Sequence, residues 1–328
     1  MINRNFKKCL ITGIGGSGAS YLAEYLLDVE PNLKIIGLAR RNKVPTNLSK
    51  NVKIIQCNMN NFIKLKNIIN KNKPDLIYNF ASDANVGQSF VEPRKIILNN
   101  NNSCINLFEA IRLTRNYKPL IISISTSEVY GLVKKDQTPI VETCQYNPAN
   151  PYAVSKTFQD LLSQNYIKNF DLKIIITRMF SYLNPRRLTL FASNWAKQIV
   201  DIENKKIKLL KHGNLNSVRT IISTYDMCNA YYLAAKKGRV GEIYNIGSTY
   251  PIKISKILKK LINLSKEKRI KKKLDKNLLR KTDVTLQIPN ISKFQKHTNW
   301  SYAKENDLMY NDLLDYFRIN KSDSTNNK

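Results

Sequence analysis

A tyrosine with a lysine four residues later can act as a base, because an ammonium one helical turn away stabilises a phenolate. The spacing occurs three times, at Tyr130/Lys134, Tyr152/Lys156 and Tyr232/Lys236. Context separates them. Tyr152 follows Asn150 and Pro151, a helix N-cap and a first-turn proline. A helix starting there places Tyr152 and Lys156 on one face. Upstream, the apolar run Leu120–Ser125 ends in Thr126-Ser-Glu-Val-Tyr-Gly131. In α/β sheets, ligands bind at such strand ends. The other two pairs lack this neighbour. Tyrosine ionises near pH 10, so a base at neutral pH needs a pKa lower by roughly 3 units, or ~4 kcal/mol. One ammonium ~4 Å away at an effective dielectric of ~20 supplies that much. Thr126 can hold a substrate hydroxyl. Glu128 could remove an acidic proton beside a newly made ketone, a task that a reductase or epimerase does not have. Its plainer reading is a carboxylate at a helix start.

These residues need a scaffold. The first 178 residues alternate apolar runs with helical patterns. Strands are predicted at Lys8–Thr12, Lys34–Ala39, Val52–Gln56, Leu76–Phe80, Leu120–Ser125 and Lys173–Arg178. The alternation predicts an α/β fold, a doubly wound parallel sheet. The first strand runs into Thr12-Gly-Ile-Gly-Gly-Ser-Gly-Ala19, and a helix follows. Gly13, Gly16 and Gly18 would let the backbone turn tightly and approach a pyrophosphate at the helix N-terminus. This predicts a dinucleotide site, whose oxidised nicotinamide ring would add a second positive charge near Tyr152. The second strand ends in Arg40 and Arg41 rather than an acidic residue. Two arginines suit a ribose 2′-phosphate, so NADP is the expected cofactor. After Arg178 the pattern loosens and reads as a smaller mixed α/β substrate-binding cap. Residues 1–178 are expected to form the cofactor domain and 179–328 the substrate domain. Part of 219–247 is expected to pack back on the first, and 320–328 to form a frayed tail.

Composition narrows the classes. The chain has 328 residues, 42% hydrophobic and 24% charged, as expected of a globular protein. Two histidines, His212 and His297, leave no basis for a multi-His metal site, and no metal is expected. Five scattered cysteines without C-x-x-C suggest reduced thiols and a cytoplasmic protein. No apolar run reaches the ~18 residues of a membrane span, and no secretory signal is read at the N-terminus. The net charge of +30 raises nucleic acid as a partner. Lysine and asparagine are enriched along the whole chain, as in the run Asn99–Asn102, so a background bias is the preferred explanation. Nucleic-acid binding is not expected.

The sequence resembles the extended short-chain dehydrogenase/reductase family, and within it the GDP-mannose 4,6-dehydratases. The likeness rests on Ile11–Ile14, Ser20–Glu24, Gly37–Arg41, Ile77–Ala81, Ser125–Gly131, Pro151–Lys156, Asn184–Arg187, Gly213–Arg219, Gly241–Gly247 and Arg280–Val284. It implies a Rossmann-type sheet, an NADP-dependent sugar-nucleotide 4,6-dehydratase and a GDP-sugar as substrate. It implies catalytic roles for Thr126, Glu128, Tyr152 and Lys156. Cofactor contacts are implied at Gly13, Gly16, Gly18, Arg40, Arg41, Asn58, Met59, Ala81, Ser82, Tyr152, Lys156, Tyr182 and Arg187. Substrate contacts are implied at Ser89, Arg219, Arg280 and Asp283. A homodimer or homotetramer is implied, with the Tyr152 helix packed on its partner's copy. The chain departs from the family pattern at Ala19, Asn58, Phe180–Tyr182 and Thr220. Alternatives are a 4-ketosugar reductase, a nucleotide-sugar epimerase and a non-catalytic polyanion-binding Rossmann protein.

Overall fold

The computed structural model describes residues 2–41, 44–279, 282 and 284–320. In chain order it contains β1 (Lys8–Thr12), α1 (Ser17–Val29), β2 (Lys34–Ala39), α2 (Thr46–Asn51), β3 (Lys53–Gln56), α3 (Phe62–Asn72) and β4 (Leu76–Asn79). Then come α4 (Val86–Val91), α5 (Pro93–Arg112), β5 (Leu120–Thr126), α6 (Pro151–Phe170), β6 (Lys173–Met179) and α7 (Phe191–Glu203). The remainder is β7 (Leu209–His212), β8 (Val218–Thr220), α8 (Thr224–Lys237), β9 (Ile243–Ile246), β10 (Pro251–Lys253), α9 (Ile254–Asn263), β11 (Lys271–Leu274), α10 (Ser292–Thr298) and α11 (Asp307–Ile319).

The strands are continuous apolar runs because helices cover both faces of the sheet. Their order is β3-β2-β1-β4-β5-β6-β9, with every neighbour parallel. The six predicted strands appear within one or two residues of their expected ends. The seventh, Ile243-Tyr-Asn-Ile, is a four-residue edge strand from the distal half. Residues of α1, α8 and α10 share one buried cluster against the sheet. Residues of α3, α5 and α6 fill the opposite one. A third cluster unites α7, α9, α11 and Leu210 of β7. Two small sheets, β10-β8 and β11-β7, flank it. Chain order reverses between β1 and β4, which opens a crevice at their carboxyl ends. Among the described residues, no helix is long and apolar enough to cross a membrane. The tail expected to fray lies, apart from Asn320, outside the described residues.

Candidate active site

A cleft of about 1020 Å³ lies over those strand ends. The turn from β1 to α1 forms its floor. Gly13 has φ +67°, and a Cβ there would stand 3.1 Å from Ala81 Cα. Thr12 fixes this approach: its hydroxyl donates to Asn79 Oδ1 at 2.9 Å and accepts from Ala81 N at 3.0 Å. Gly16 caps α1 without a side-chain hydrogen bond, so the first amides of the helix are open to an anion. Ser82 lines the cleft, and its buried hydroxyl has no hydrogen-bond partner among the described residues. Glycines, bare helix amides and this hydroxyl fit a dinucleotide pyrophosphate. Arg40 and Arg41 line the cleft beyond β2 and are exposed, and Asn58 and Met59 line it beyond β3.

Thr126, Glu128, Tyr152 and Lys156 all line this cleft. Thr126 ends β5 and its hydroxyl accepts from Glu128 N at 3.3 Å. Asn150 caps α6, with Oδ1 accepting from Ala153 N at 2.8 Å. The same amide donates through Nδ2 to Glu128 Oε2 at 3.0 Å. One side chain therefore starts the tyrosine helix and holds the carboxylate. Gly131 lets the loop close: at φ +54°, a Cβ would lie 1.6 Å from Asn147 O. Tyr152 is 8% exposed. Burial pushes its phenol up to about 12, against the charge of Arg187; Glu128 adds to the rise and a hydrogen bond with Thr126 opposes it. This corrects the expectation of a phenol brought near 7 by Lys156. Desolvation outweighs the cationic help, which comes from Arg187 rather than Lys156. Lys156 is pulled down to about 8 by burial, with Cys104 and Asp160 opposing. Its Nζ donates to Ile124 O at 2.6 Å and Gln159 Oε1 at 2.5 Å.

Gly18 and Tyr182 meet at the cleft, a Cβ on Gly18 standing 3.0 Å from the Tyr182 hydroxyl. Arg187 lines it and donates to Ala84 O. Its neighbour Arg186 also lines the cleft and grips Glu24 at 2.8 and 2.9 Å, with its guanidinium 3.9 Å from the Tyr21 ring centre. Arg219 lines the far end, donating to Val218 O and Val284 O. Ser89 is not among the lining residues: it is buried in α4 and donates to Val86 O at 2.7 Å. That corrects its expected place at the substrate. Arg280 and Asp283 lie outside the described residues. The rival pairs are structural. Tyr130 bonds Asn245 and Arg178, while Tyr232 and Lys236 both reach Glu30, at 2.9 and 2.8 Å.

Other residues support the site from behind. Asp160 and Arg178, both buried, pair at 2.9 and 3.0 Å. Burial works against the Arg178 charge, but the hydrogen bonds and charge of Asp160, then Tyr130 and Tyr146, hold its pKa up. Asp160 also accepts from Ser125 at 2.8 Å, which locks α6 to β5 and β6. Sequence spacing held a hint, since Asp160 lies two turns beyond Tyr152. Gln287 bonds Ser127 from 160 residues away, and no local pattern announces it.

The fold and a cleft holding Thr126, Tyr152 and Lys156 define an extended short-chain dehydrogenase/reductase. The family model for GDP-mannose 4,6 dehydratase matches residues 10–312, and the chain belongs to that family. It is 31% identical over 276 residues to a dTDP-D-glucose 4,6-dehydratase of Dictyostelium discoideum, covering 79% of this chain and 62% of that relative. The chain thus spans less than two thirds of that relative's length. It is 31% identical over 229 residues to a GDP-mannose 4,6-dehydratase of Vibrio cholerae, covering 66% and 60%. The fold is similar to RMD from Pseudomonas aeruginosa complexed with NADPH (TM-score 0.83, 20% identity, 95% and 99% covered). It is also similar to a dTDP-glucose 4,6-dehydratase of Streptomyces venezuelae with NAD and TYD bound (TM-score 0.82, 20% identity, 96% and 98% covered).

Proposed function

We propose that the protein is a sugar-nucleotide 4,6-dehydratase that takes a GDP-sugar, GDP-mannose before others, and uses NADP. The observation that carries this is Glu128 in one cleft with Thr126, Tyr152 and Lys156. A reductase or epimerase leaves that carboxylate idle. The nucleotide would lie over Gly13, Gly16 and Gly18, with its 2′-phosphate at Arg40 and Arg41. When bound, it supplies hydride acceptance from the sugar's C4 and hydride return at C6. Thr126 holds the C4 hydroxyl and Tyr152 removes its proton. Lys156 and Arg187 stabilise the phenolate that does so. The C4 ketone acidifies the C5 hydrogen. Glu128 takes that proton and gives it to the departing C6 oxygen, so water leaves; as hydride returns to C6, C5 takes the proton that Tyr152 had removed, which restores Tyr152. No net oxidation results.

Arg219 supports the nucleotide end of the substrate. The stripe Val154, Phe158 and Leu161 on α6, with Leu98 on α5, is exposed and apolar and supports a homo-oligomer. Five cysteines, none in a disulfide, support a cytoplasmic setting. GDP-mannose, dTDP-glucose and UDP-glucose, each incubated with protein and catalytic NADP, test the reading by mass spectrometry. Loss of water from the GDP-sugar is expected. NADPH consumed stoichiometrically against a ketosugar, without dehydration, would move the assignment to the reductase.

A further inference from the structure

Lys156 is held by more than its own helix. Its ammonium has three N–H donors and no acceptor. One bonds Ile124 O at 2.6 Å and a second bonds Gln159 Oε1 at 2.5 Å. Gln159 is 4% exposed, is not among the residues lining the cleft, and sits three residues on along α6. Its Nε2 donates to Asn100 O at 2.6 Å. The amide's orientation is fixed by this pairing, because an ammonium can only donate and a carbonyl can only accept. Asn100 is fully buried in α5. Its side chain accepts from Asp83 N at 2.6 Å and donates to Asp83 O at 3.0 Å and Ser155 Oγ at 2.9 Å. Asp83 and Ala84 line the cleft, and Ala84 O receives Arg187. A continuous chain of hydrogen bonds thus runs from the ammonium through Gln159 and Asn100 to the loop after β4.

We propose that Gln159 is a positioning residue: it takes one N–H of Lys156, leaves one for the cleft, and locks the ammonium to the wall formed by Asn100 and Asp83. A glutamine amide does this without carrying protons, so no proton leaves Lys156 through it. The titratable groups acting on Lys156 are Cys104 of α5 and Asp160 of α6, with Arg178 of β6 neutralising Asp160; Tyr152 stands one turn before it on α6. β5 presents the Ile124 carbonyl to it.

The proposal rests on the dehydratase reading for its kinetic consequence but not for its direct test. Competitive acetylation across pH, read by mass spectrometry on the peptide containing Lys156, gives the lysine's titration midpoint without substrate. Gln159→Glu should raise that midpoint by about 1 unit or more, as a nearby carboxylate does. Gln159→Leu should lower it. In turnover, Gln159→Leu should lose up to ~10²-fold in kcat with KM little changed, as for a misplaced catalytic group. Wild-type midpoints in both variants would overturn the proposal; because Gln159→Glu is nearly isosteric, misfolding of the leucine variant does not remove this test. Shifted midpoints in a protein that dehydrates no sugar nucleotide would instead overturn the reaction and leave the positioning role standing.

Discussion

In the proposed reaction the roles of Glu128 and Tyr152 separate in time, so one optical signal distinguishes them. Glu128→Gln keeps the shape and can still accept from Asn150, but it removes the base. Turnover should fall by ~10²–10⁴. Reduced cofactor should accumulate, seen by its near-ultraviolet absorbance, because C4 is oxidised and elimination stalls. Tyr152→Phe should show no reduced cofactor at all. Unchanged turnover in Glu128→Gln would sink the elimination mechanism. Arg40 and Arg41 make a second prediction. Both are exposed and line the cleft beyond β2. Replacing them with an acidic–neutral pair should weaken NADP far more than NAD. A titration in which the wild type binds NAD more tightly would reverse the assignment from the second strand.

The element that matters most is α6, and its first and third turns carry different loads. Asn150 serves the helix and the site together. Asn150→Asp keeps a good cap and should melt close to wild type, yet it sets a carboxylate against Glu128 and should slow turnover. Asn150→Ala should lose activity and also ~1 kcal/mol of stability, the usual value of a cap. Equal melting temperatures for the alanine variant and wild type would show that the cap is dispensable. Deeper in, Asp160 is fully buried and paired with Arg178. Asp160→Asn leaves an uncompensated guanidinium and should cost ~3–5 kcal/mol in denaturant unfolding. A loss under about 1 kcal/mol would mean that Tyr130 and Tyr146 satisfy Arg178 by themselves.

For the whole molecule, the surface of α6 makes the prediction. Val154, Phe158 and Leu161 repeat at helical spacing and are 43%, 36% and 49% exposed. Burying such a stripe against its copy would support the same helix that carries Tyr152. Light scattering should therefore give a particle of at least twice 37.8 kDa. A monomer at working concentration would count against this.

Much of this was legible in the chain by itself. The six strands before Arg178 and the glycine turn after the first follow from apolar periodicity and glycine spacing, which are local properties read within ten residues, whereas the strand order and the seventh strand depend on packing. The choice of Tyr152/Lys156 among three pairs followed from Asn150, Pro151 and the strand before them, and the structure places only that pair in the cleft. Other features depend on distant partners. Asn100 belongs to an asparagine run that reads as background, yet it is fully buried and carries the link from Gln159 to Asp83. Ser89 carries a residue type suited to a ligand, but its hydroxyl turns to Val86, and Arg186, at the cleft, is already paired with Glu24. The phenol of Tyr152 reads as lowered by one lysine, whereas its pKa is set by how much water the fold removes from around it. Residue type and spacing determine which elements form and which groups could react. Burial and through-space partners are fixed only when the elements pack, so only the tertiary structure decided which groups are held, neutralised or left facing the cleft.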